Sequence, residues 1–114
     1  MQKILILFLP IICLFFYTDE AFAEINVETI ADNLKIPWEL EFAPDGRIFF
    51  TERDGNLWII DNKSMDLVAT FPTSHTSEGG LLGLALDPEF EENNFLYLYQ
   101  TYFGFELHHN KVVR

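Results

Sequence analysis

The chain contains two copies of one strand-and-turn pattern, and this repetition constrains its fold more than any other feature. The first copy runs from Pro37 to Phe50 and the second from Glu78 to Tyr99. Each copy consists of an apolar segment, a turn that contains Asp and Pro, and an aromatic-rich segment. The two copies are offset by about 45 residues, which is close to the length of one β-propeller blade. The repetition therefore predicts the beginning of an array of blades.

Short apolar segments that alternate with turn residues predict an all-β protein. The clean alternation between positions 38 and 42 predicts a strand with Trp38, Leu40 and Phe42 directed inward. Asp45-Gly46 and Asp54-Gly55 provide the residues that tight hairpin turns require. The predicted strands are Ile25–Ile30, Trp38–Phe42, Ile48–Glu52, Leu57–Ile60, Leu67–Phe71, Leu81–Leu86, Phe95–Phe103 and a last one that begins at Lys111.

The strands between positions 38 and 71 are expected to form one sheet of the size of a blade. Such a sheet leaves an apolar face uncovered unless neighbours pack on both of its sides. The polar segment Pro72–Ser77 is suited to cross from the outer edge of this blade to the inner strand of the next. Leu81–Leu86 follows as a continuous apolar run, which predicts an inner strand covered on both faces.

The N-terminus has the pattern of a signal peptide over residues 1–23. A short basic start is followed by an apolar run from Ile4 to Tyr17, and Ala21-Phe22-Ala23 fits a small-residue cleavage site. The alternatives are a permanent membrane anchor, for which the run is short, and lipidation of Cys13, before which Ile12 is unsuitable. The pattern predicts export, to the periplasm or the exterior. Since Cys13 is the only cysteine, the exported part has no disulfide framework.

The formal charge of the 114 residues is −11 at pH 7. No basic patch is available to bind a phosphate backbone or anionic lipid, so the composition argues against nucleic-acid and membrane-surface binding. The acidic residues are spread along the chain, and we expect them to serve solubility. After signal cleavage we therefore predict no membrane or nucleic-acid partner.

Three groups of residues resemble phosphate-binding, calcium-binding or metal-binding sites, but each fits a structural role better. Gly79-Gly80 lacks the helix and the Lys-Ser/Thr pair of a phosphate loop, so we expect a turn before a closely packed strand. The acidic segment Asp87–Glu92 lacks the glycine of a calcium loop and predicts a solvated turn. His75, His108 and His109 have no spacing that forces them together on a metal, so they are expected in loops.

Glu78 is the one candidate for contact with a ligand. It immediately precedes the predicted inner strand Leu81–Leu86, and in a propeller such positions line the mouth of the central channel. A carboxylate at this place can accept hydrogen bonds from a sugar hydroxyl. The other interpretation, an acidic turn residue that faces solvent, stays open.

Five segments resemble motifs of the glucose/sorbosone dehydrogenase family, and they occur in the order of that family. From the first to the last, they span nearly all of residues 26–114. The segments are Ile36-Pro37-Trp38, Phe42-Ala43-Pro44-Asp45-Gly46-Arg47, Thr51-Glu52-Arg53-Asp54-Gly55, Glu78-Gly79-Gly80-Leu81-Leu82-Gly83-Leu84-Ala85-Leu86-Asp87-Pro88 and Asn110-Lys111-Val112-Val113-Arg114. The resemblance implies a six-bladed, exported β-propeller that oxidises the C1 hydroxyl of an aldose to a lactone, with pyrroloquinoline quinone (PQQ) as cofactor and calcium in support.

The resemblance also implies which functional residues this chain carries. In the family, the residue before the Gly79-Gly80 pair lies near the substrate, which assigns sugar binding to Glu78. The general-base histidine of the enzymes follows the strand that Val113 begins, and the cofactor and calcium ligands come later still. We therefore expect no catalytic, PQQ-binding or metal-binding residue in this chain, and we do not give the catalytic role to His108 or His109.

These observations predict that residues 24–114 form the N-terminal, truncated part of such a propeller, about one blade and part of a second. The 114-residue chain alone is expected to be inactive and to bind neither PQQ nor calcium. One alternative is a secreted propeller module without enzymatic activity that binds carbohydrate or protein. Another is a complete small secreted β-domain, in which the aromatic strand Phe95–Phe103 would be an unprotected edge.

Overall fold

The computed structural model describes residues 23–114. The predicted signal peptide, apart from Ala23, lies outside this part of the chain. Nearly all regular structure between residues 23 and 114 is β-strand, arranged in two antiparallel sheets. None of the helices in residues 23–114 has the length and apolar character needed to cross a bilayer.

The first sheet contains four strands that follow one another in space as they do in sequence. Its strands are β1 (Pro37–Phe42), β2 (Ile48–Glu52), β3 (Asn56–Asp61) and β4 (Ser64–Thr70). The β1–β2 turn contains Gly46 at a φ of +90°, where Gly46 N–H donates to the Ala43 carbonyl at 3.0 Å. Asn62 and Lys63 both have positive φ, as the tight turns favoured in β-hairpins require. Local turn chemistry thus produces a meander of the size of one blade.

The second sheet contains three strands and begins after the crossing segment. Its elements are β5 (Leu81–Leu86), the short helix α1 (Phe90–Asn93), β6 (Leu96–Gly104) and β7 (Leu107–Val113). Asn94 ends α1 in the left-handed conformation, and its N–H donates to the Phe90 carbonyl. The predicted positions of β2 and β5 are confirmed, and the long aromatic strand is confirmed with a shift of one residue. The predicted last strand begins four residues earlier, at Leu107.

The core lies between the two sheets, where β5 packs against β1 and β2. Leu81 and Leu98 from the second sheet are almost completely buried, as are Phe49 and Leu57 from the first. Phe90 of α1 closes one end of this core and meets the Phe49 ring edge-on at 5.7 Å. Burial of each such side chain contributes about 1.5 to 3 kcal/mol. The segment between β4 and β5 leads from the edge strand of the first sheet to the first strand of the second, in agreement with the predicted crossing between two sheets.

The opposite face of the first sheet is apolar but uncovered. Trp38, Leu40 and Phe42 share this face, as the alternation predicts, but they are 47%, 47% and 69% exposed. The prediction that they point into a core is therefore wrong for the described residues. Phe50 and Ile60 lie on the same face, on the two following strands, and are buried. A sheet with two apolar faces is the arrangement expected of a blade that packs between neighbours.

Two further predictions about strands are wrong. Residues 25–30 form no strand, and Ile25 and Val27 are 86% and 85% exposed, because no neighbouring strand in the described part of the chain pairs with them. Within residues 23–114, β5 is covered on one face only, since Leu81 and Leu84 are buried while Ala85 is exposed. Its second face, with Tyr99 and the exposed Val112 from the neighbouring strands, is open.

Candidate functional site

The segment between β4 and β5 is fixed to β6 by hydrogen bonds at several points. The Ser74 N–H donates to the Thr101 carbonyl at 2.9 Å, and the Thr101 N–H donates to the Gly80 carbonyl at 2.8 Å. The buried Gln100 amide donates to the Pro72 carbonyl at 2.8 Å. Because the segment is attached to β6 at Pro72, Ser74 and Gly80, its path across the end of the second sheet is defined.

Gly79 and Gly80 form the tight turn into β5 that their sequence predicts. At Gly80 the φ is +151°, and a Cβ atom would lie 2.4 Å from the Arg53 carbonyl oxygen. At Gly79 a Cβ atom would lie 2.6 Å from the Ser74 carbonyl oxygen. Neither position accepts a side chain without displacement of backbone. Glu78 is consequently held directly before the point where the chain enters the inner strand.

Glu78 lies at the wall of a cavity of about 450 Å³ at this end of the second sheet. The residues around it are Thr76, Ser77, Glu78, Gly79, Leu82, Tyr99, Thr101, His108 and Asn110. The lining combines a carboxylate, hydroxyl groups, an amide, an imidazole and an aromatic ring. Such a mixture of hydrogen-bonding groups with an aromatic surface suits a ligand rich in hydroxyl groups. The exposed carboxylate of Glu78 is available to accept hydrogen bonds there.

His108 belongs to this cavity, although its sequence context predicts a loop residue. It lies in β7, opposite Phe103 of β6. Its Nδ1 is 2.9 Å from the Ser74 hydroxyl and its Nε2 is 3.4 Å from the Thr76 hydroxyl. The ring therefore attaches β7 to the segment that carries Glu78. The period-two relation of His108, Asn110 and Val112 is the sequence signal that places them on one face of a strand.

The other two histidines lie elsewhere. His75 is an exposed residue of the crossing segment, as predicted. His109 is in β7, not in a loop, on the face opposite to His108, and its ring lies 5.7 Å from the Tyr102 ring. Between residues 23 and 114, no three His, Cys, Asp or Glu side chains are grouped in a way that could hold a metal ion.

The acidic turn after β5 is a hydrogen-bonded structural element. The Asp87 carboxylate accepts hydrogen bonds from the Tyr97 hydroxyl at 2.6 Å, the Glu89 N–H at 2.9 Å and the Asn93 amide at 3.0 Å. The hydrogen bond from the Tyr97 hydroxyl lowers the pKa of Asp87 the most, and the bonds from Glu89 and Asn93 lower it further. The hydrogen bond to Asp87 also raises the pKa of Tyr97. The carboxylate thus organises the turn around α1.

A larger hollow of about 510 Å³ lies on the open face of the first sheet, away from Glu78. Ile30, Leu34, Trp38, Phe42 and Phe50 are among the mostly apolar side chains that line it. This lining suits the packing of another structural element better than the binding of a hydroxyl-rich molecule. We therefore take the smaller polar cavity as the candidate site.

Comparison with known proteins identifies the family. The sequence model for glucose/sorbosone dehydrogenase matches residues 34–114. The chain belongs to the glucose/sorbosone dehydrogenase family. Among curated relatives, an uncharacterized protein of Synechocystis sp. is 32% identical over 102 residues, with 80% of this chain and 25% of that protein covered. The aldose sugar dehydrogenase YliI of Escherichia coli is 34% identical over 94 residues, with 78% and 25% covered.

Two solved structures of proteins named as sugar dehydrogenases share the fold of this chain. One, from Thermus thermophilus and described as an oxidoreductase (glucose dehydrogenase), superposes with a TM-score of 0.69 at 35% identity. The PQQ-bound aldose sugar dehydrogenase of Streptomyces coelicolor superposes with a TM-score of 0.67 at 28% identity. Each covers 75% of this chain, while the chain covers 26% of each. The two sheets are therefore blade sheets of a β-propeller, and the chain spans about a quarter of the length of these relatives.

The cavity beside Glu78 does not by itself fit PQQ. The cofactor carries three carboxylates, which require cationic partners, whereas the cavity lining contains a carboxylate and no lysine or arginine. The guanidinium of Arg53 lies beneath the segment, where backbone carbonyls of that segment accept its hydrogen bonds. The lining is suited to an uncharged ligand with hydroxyl groups instead.

Proposed function

We propose that this chain is part of an exported PQQ-dependent aldose sugar dehydrogenase that oxidises the C1 hydroxyl of its substrate to a lactone. Support for the reaction comes from the family and from two similar proteins, one named an aldose sugar dehydrogenase and one solved with PQQ. The catalytic base and the ligands of PQQ and calcium are proposed to lie in parts of the longer protein outside residues 23–114.

The observation that carries this proposal is the position of Glu78 at the polar cavity. Its carboxylate is exposed, and the segment that bears it is attached to β6 and β7 on one side and to Arg53 on the other. A hydroxyl group of an aldose in the cavity can donate a hydrogen bond to this carboxylate. The proposed role of Glu78 is to hold the sugar in the cavity through this hydrogen bond, which strengthens binding.

Steady-state reduction of an electron-accepting dye tests the proposed activity. The full-length protein, supplied with PQQ and calcium, is expected to reduce the dye only when an aldose is present. The matched control is the same protein without PQQ. Sugar binding without any sugar-dependent reduction would contradict the proposal and favour the alternative, a propeller module that binds carbohydrate.

We further propose that the 114-residue chain alone is inactive in this assay. The residues around its cavity do not suit the cofactor carboxylates, and the chain covers a quarter of the related enzymes. Dye reduction by the isolated chain with PQQ, calcium and glucose would contradict this part of the proposal.

Export is proposed from the sequence pattern of residues 1–23. The expected mature protein begins at Glu24. Mass spectrometry of the N-terminal peptide from the secreted or periplasmic fraction checks the cleavage site. Recovery of intact Met1 from a protein that remains in the cytoplasm would contradict it.

A further inference from the structure

The side chain of Arg53 donates hydrogen bonds to the backbone of the segment that carries Glu78. Its Nε donates to the Gly79 carbonyl at 2.9 Å, and its Nη2 donates to the His75 carbonyl at 3.0 Å and to the Ser77 carbonyl. These acceptors lie on both sides of Glu78 in the sequence. One guanidinium group therefore fixes the backbone directly before and directly after the carboxylate.

The backbone of Arg53 contacts the same turn. Its carbonyl oxygen accepts a hydrogen bond from the Leu81 N–H at 3.0 Å, and Gly80 packs against it so closely that a Cβ atom would collide. Arg53 also donates its own N–H to the Ile36 carbonyl at 3.1 Å. The entire residue thus connects the end of the first sheet to the entry of β5.

The conformation of the segment requires such support. Ser77 has a φ of +55°, a left-handed conformation that is strained for a residue with a side chain. The Ser77 carbonyl is one of the acceptors of the guanidinium. Only the planar, forked guanidinium offers several donors with fixed directions, whereas a lysine ammonium at this place is a single flexible point charge.

We propose that Arg53 is a positioning residue for sugar binding, acting through Glu78. The inference depends on the proposed function, in which Glu78 contacts the sugar. When the guanidinium is lost, the carbonyl groups of His75, Ser77 and Gly79 lose their shared donor. The Glu78 carboxylate between them is then held less firmly at the cavity. Sugar affinity then falls, while the chemistry at the remaining groups proceeds once the sugar is bound.

The test compares Arg53→Lys, Arg53→Gln, Glu78→Gln and the double variant Arg53→Lys/Glu78→Gln in the full-length protein. The matched control is Arg47→Lys, since Arg47 pairs with Asp45 at 2.6 Å on a different turn. Sugar affinity is measured by calorimetry, KM and kcat by dye reduction, and folding by thermal unfolding. Hydrogen exchange reports the mobility of residues 74–80.

We expect Arg53→Lys to raise the sugar Kd and KM about tenfold, as expected for the loss of one or two hydrogen bonds. We expect kcat to change little, hydrogen exchange of residues 74–80 to accelerate, and Arg47→Lys to change none of these. Arg53→Gln should have an effect at least as large. The double variant should bind sugar no more weakly than Glu78→Gln alone, because both changes affect one contact.

The outcomes separate the two levels of the proposal. If Glu78→Gln weakens sugar binding while both Arg53 variants fold and keep the original Kd and KM, the positioning role is overturned and the proposed role of Glu78 stands. If Glu78→Gln leaves the Kd and KM unchanged, the role of Glu78 in sugar binding fails, and the inference about Arg53 fails with it. Fully additive effects in the double variant would likewise overturn the action of Arg53 through Glu78.

Discussion

The indole N–H of Trp58 donates a hydrogen bond to the carboxylate of Glu52 at 2.8 Å. Glu52 is 3% exposed, and its carboxylate also accepts hydrogen bonds from the Lys35 N–H at 2.6 Å and the Asn56 amide at 3.1 Å. A buried charge is tolerated only when such partners surround it. The Glu52 carboxylate therefore connects the chain before β1 to β2 and β3. Arg53 is the next residue, in the turn between β2 and β3.

Replacement of Glu52 by Gln should destabilise the protein by about 1 to 3 kcal/mol, the cost of an unsatisfied buried donor. An amide places an NH2 group opposite one of the three donors that the carboxylate now satisfies. Urea unfolding of the variant measures the free energy. Glu91→Gln, at an exposed position of α1, is the control and should change stability little; equal stability of the two variants would contradict the assignment.

Acid should destabilise the protein in part through the same carboxylate. Burial raises the pKa of Glu52, but the hydrogen bonds from Lys35, Asn56 and Trp58 outweigh it and lower the pKa below its ordinary value. The unfolded chain therefore binds this proton at a higher pH than the folded chain. The stabilising contribution is present above the unfolded pKa of about 4.3 and is lost as the pH falls towards the folded pKa. Glu52→Gln should reduce the slope of unfolding free energy against pH in this window, and an unchanged slope would contradict it.

Gly55→Ala should be more destabilising than Gly46→Ala. Both glycines have positive φ, at +120° and +90°, so alanine is strained at each by about 1 to 3 kcal/mol. Only at Gly55 would the new Cβ lie 2.3 Å from the Phe71 carbonyl oxygen, whereas nothing lies within 4 Å at Gly46. Chemical denaturation of the two variants measures the difference. Equal losses would show that the close approach at Gly55 costs nothing.

Thr51→Val should destabilise the junction between the two sheets. The fully buried Thr51 hydroxyl donates to the Leu82 carbonyl of the second sheet at 2.8 Å. Valine has nearly the same shape but leaves that carbonyl without its donor, at a cost of about 1 to 3 kcal/mol. Thr70→Val is the control, because the Thr70 hydroxyl donates to the Asn56 side chain at an exposed position. Similar unfolding free energies for both variants would argue against the inter-sheet bond.

The sequence is most informative where local chemistry determines structure. The Asp45-Gly46 turn predicts β2 and the continuous apolar run Leu81–Leu86 predicts β5, each with its observed bounds, because these signals act over a few neighbouring residues. Ile25–Ile30 has the apolar content of a strand but forms none, since a strand also needs a partner and composition does not reveal one. For the same reason Trp38 and Phe42 share a face as predicted, although that face is uncovered.

The candidate site is predicted only in part. Glu78 is recognisable from its place before the inner strand, and Gly79-Gly80 from the requirement for a tight turn. The contribution of His108 depends on the pairing of β7 with β6, and the role of Arg53 depends on carbonyl groups more than 20 residues away in sequence. Long-range contacts of this kind leave no pattern within a short window of the sequence.

We propose that the cavity beside Glu78 receives an aldose, and a crystal structure of the full-length protein with a bound aldose can show whether it does. In that structure we expect a sugar hydroxyl within hydrogen-bonding distance of the Glu78 carboxylate, and the carbonyl groups of His75, Ser77 and Gly79 bound to Arg53. A sugar bound elsewhere in the protein, with Glu78 making no contact to it, would contradict the claim.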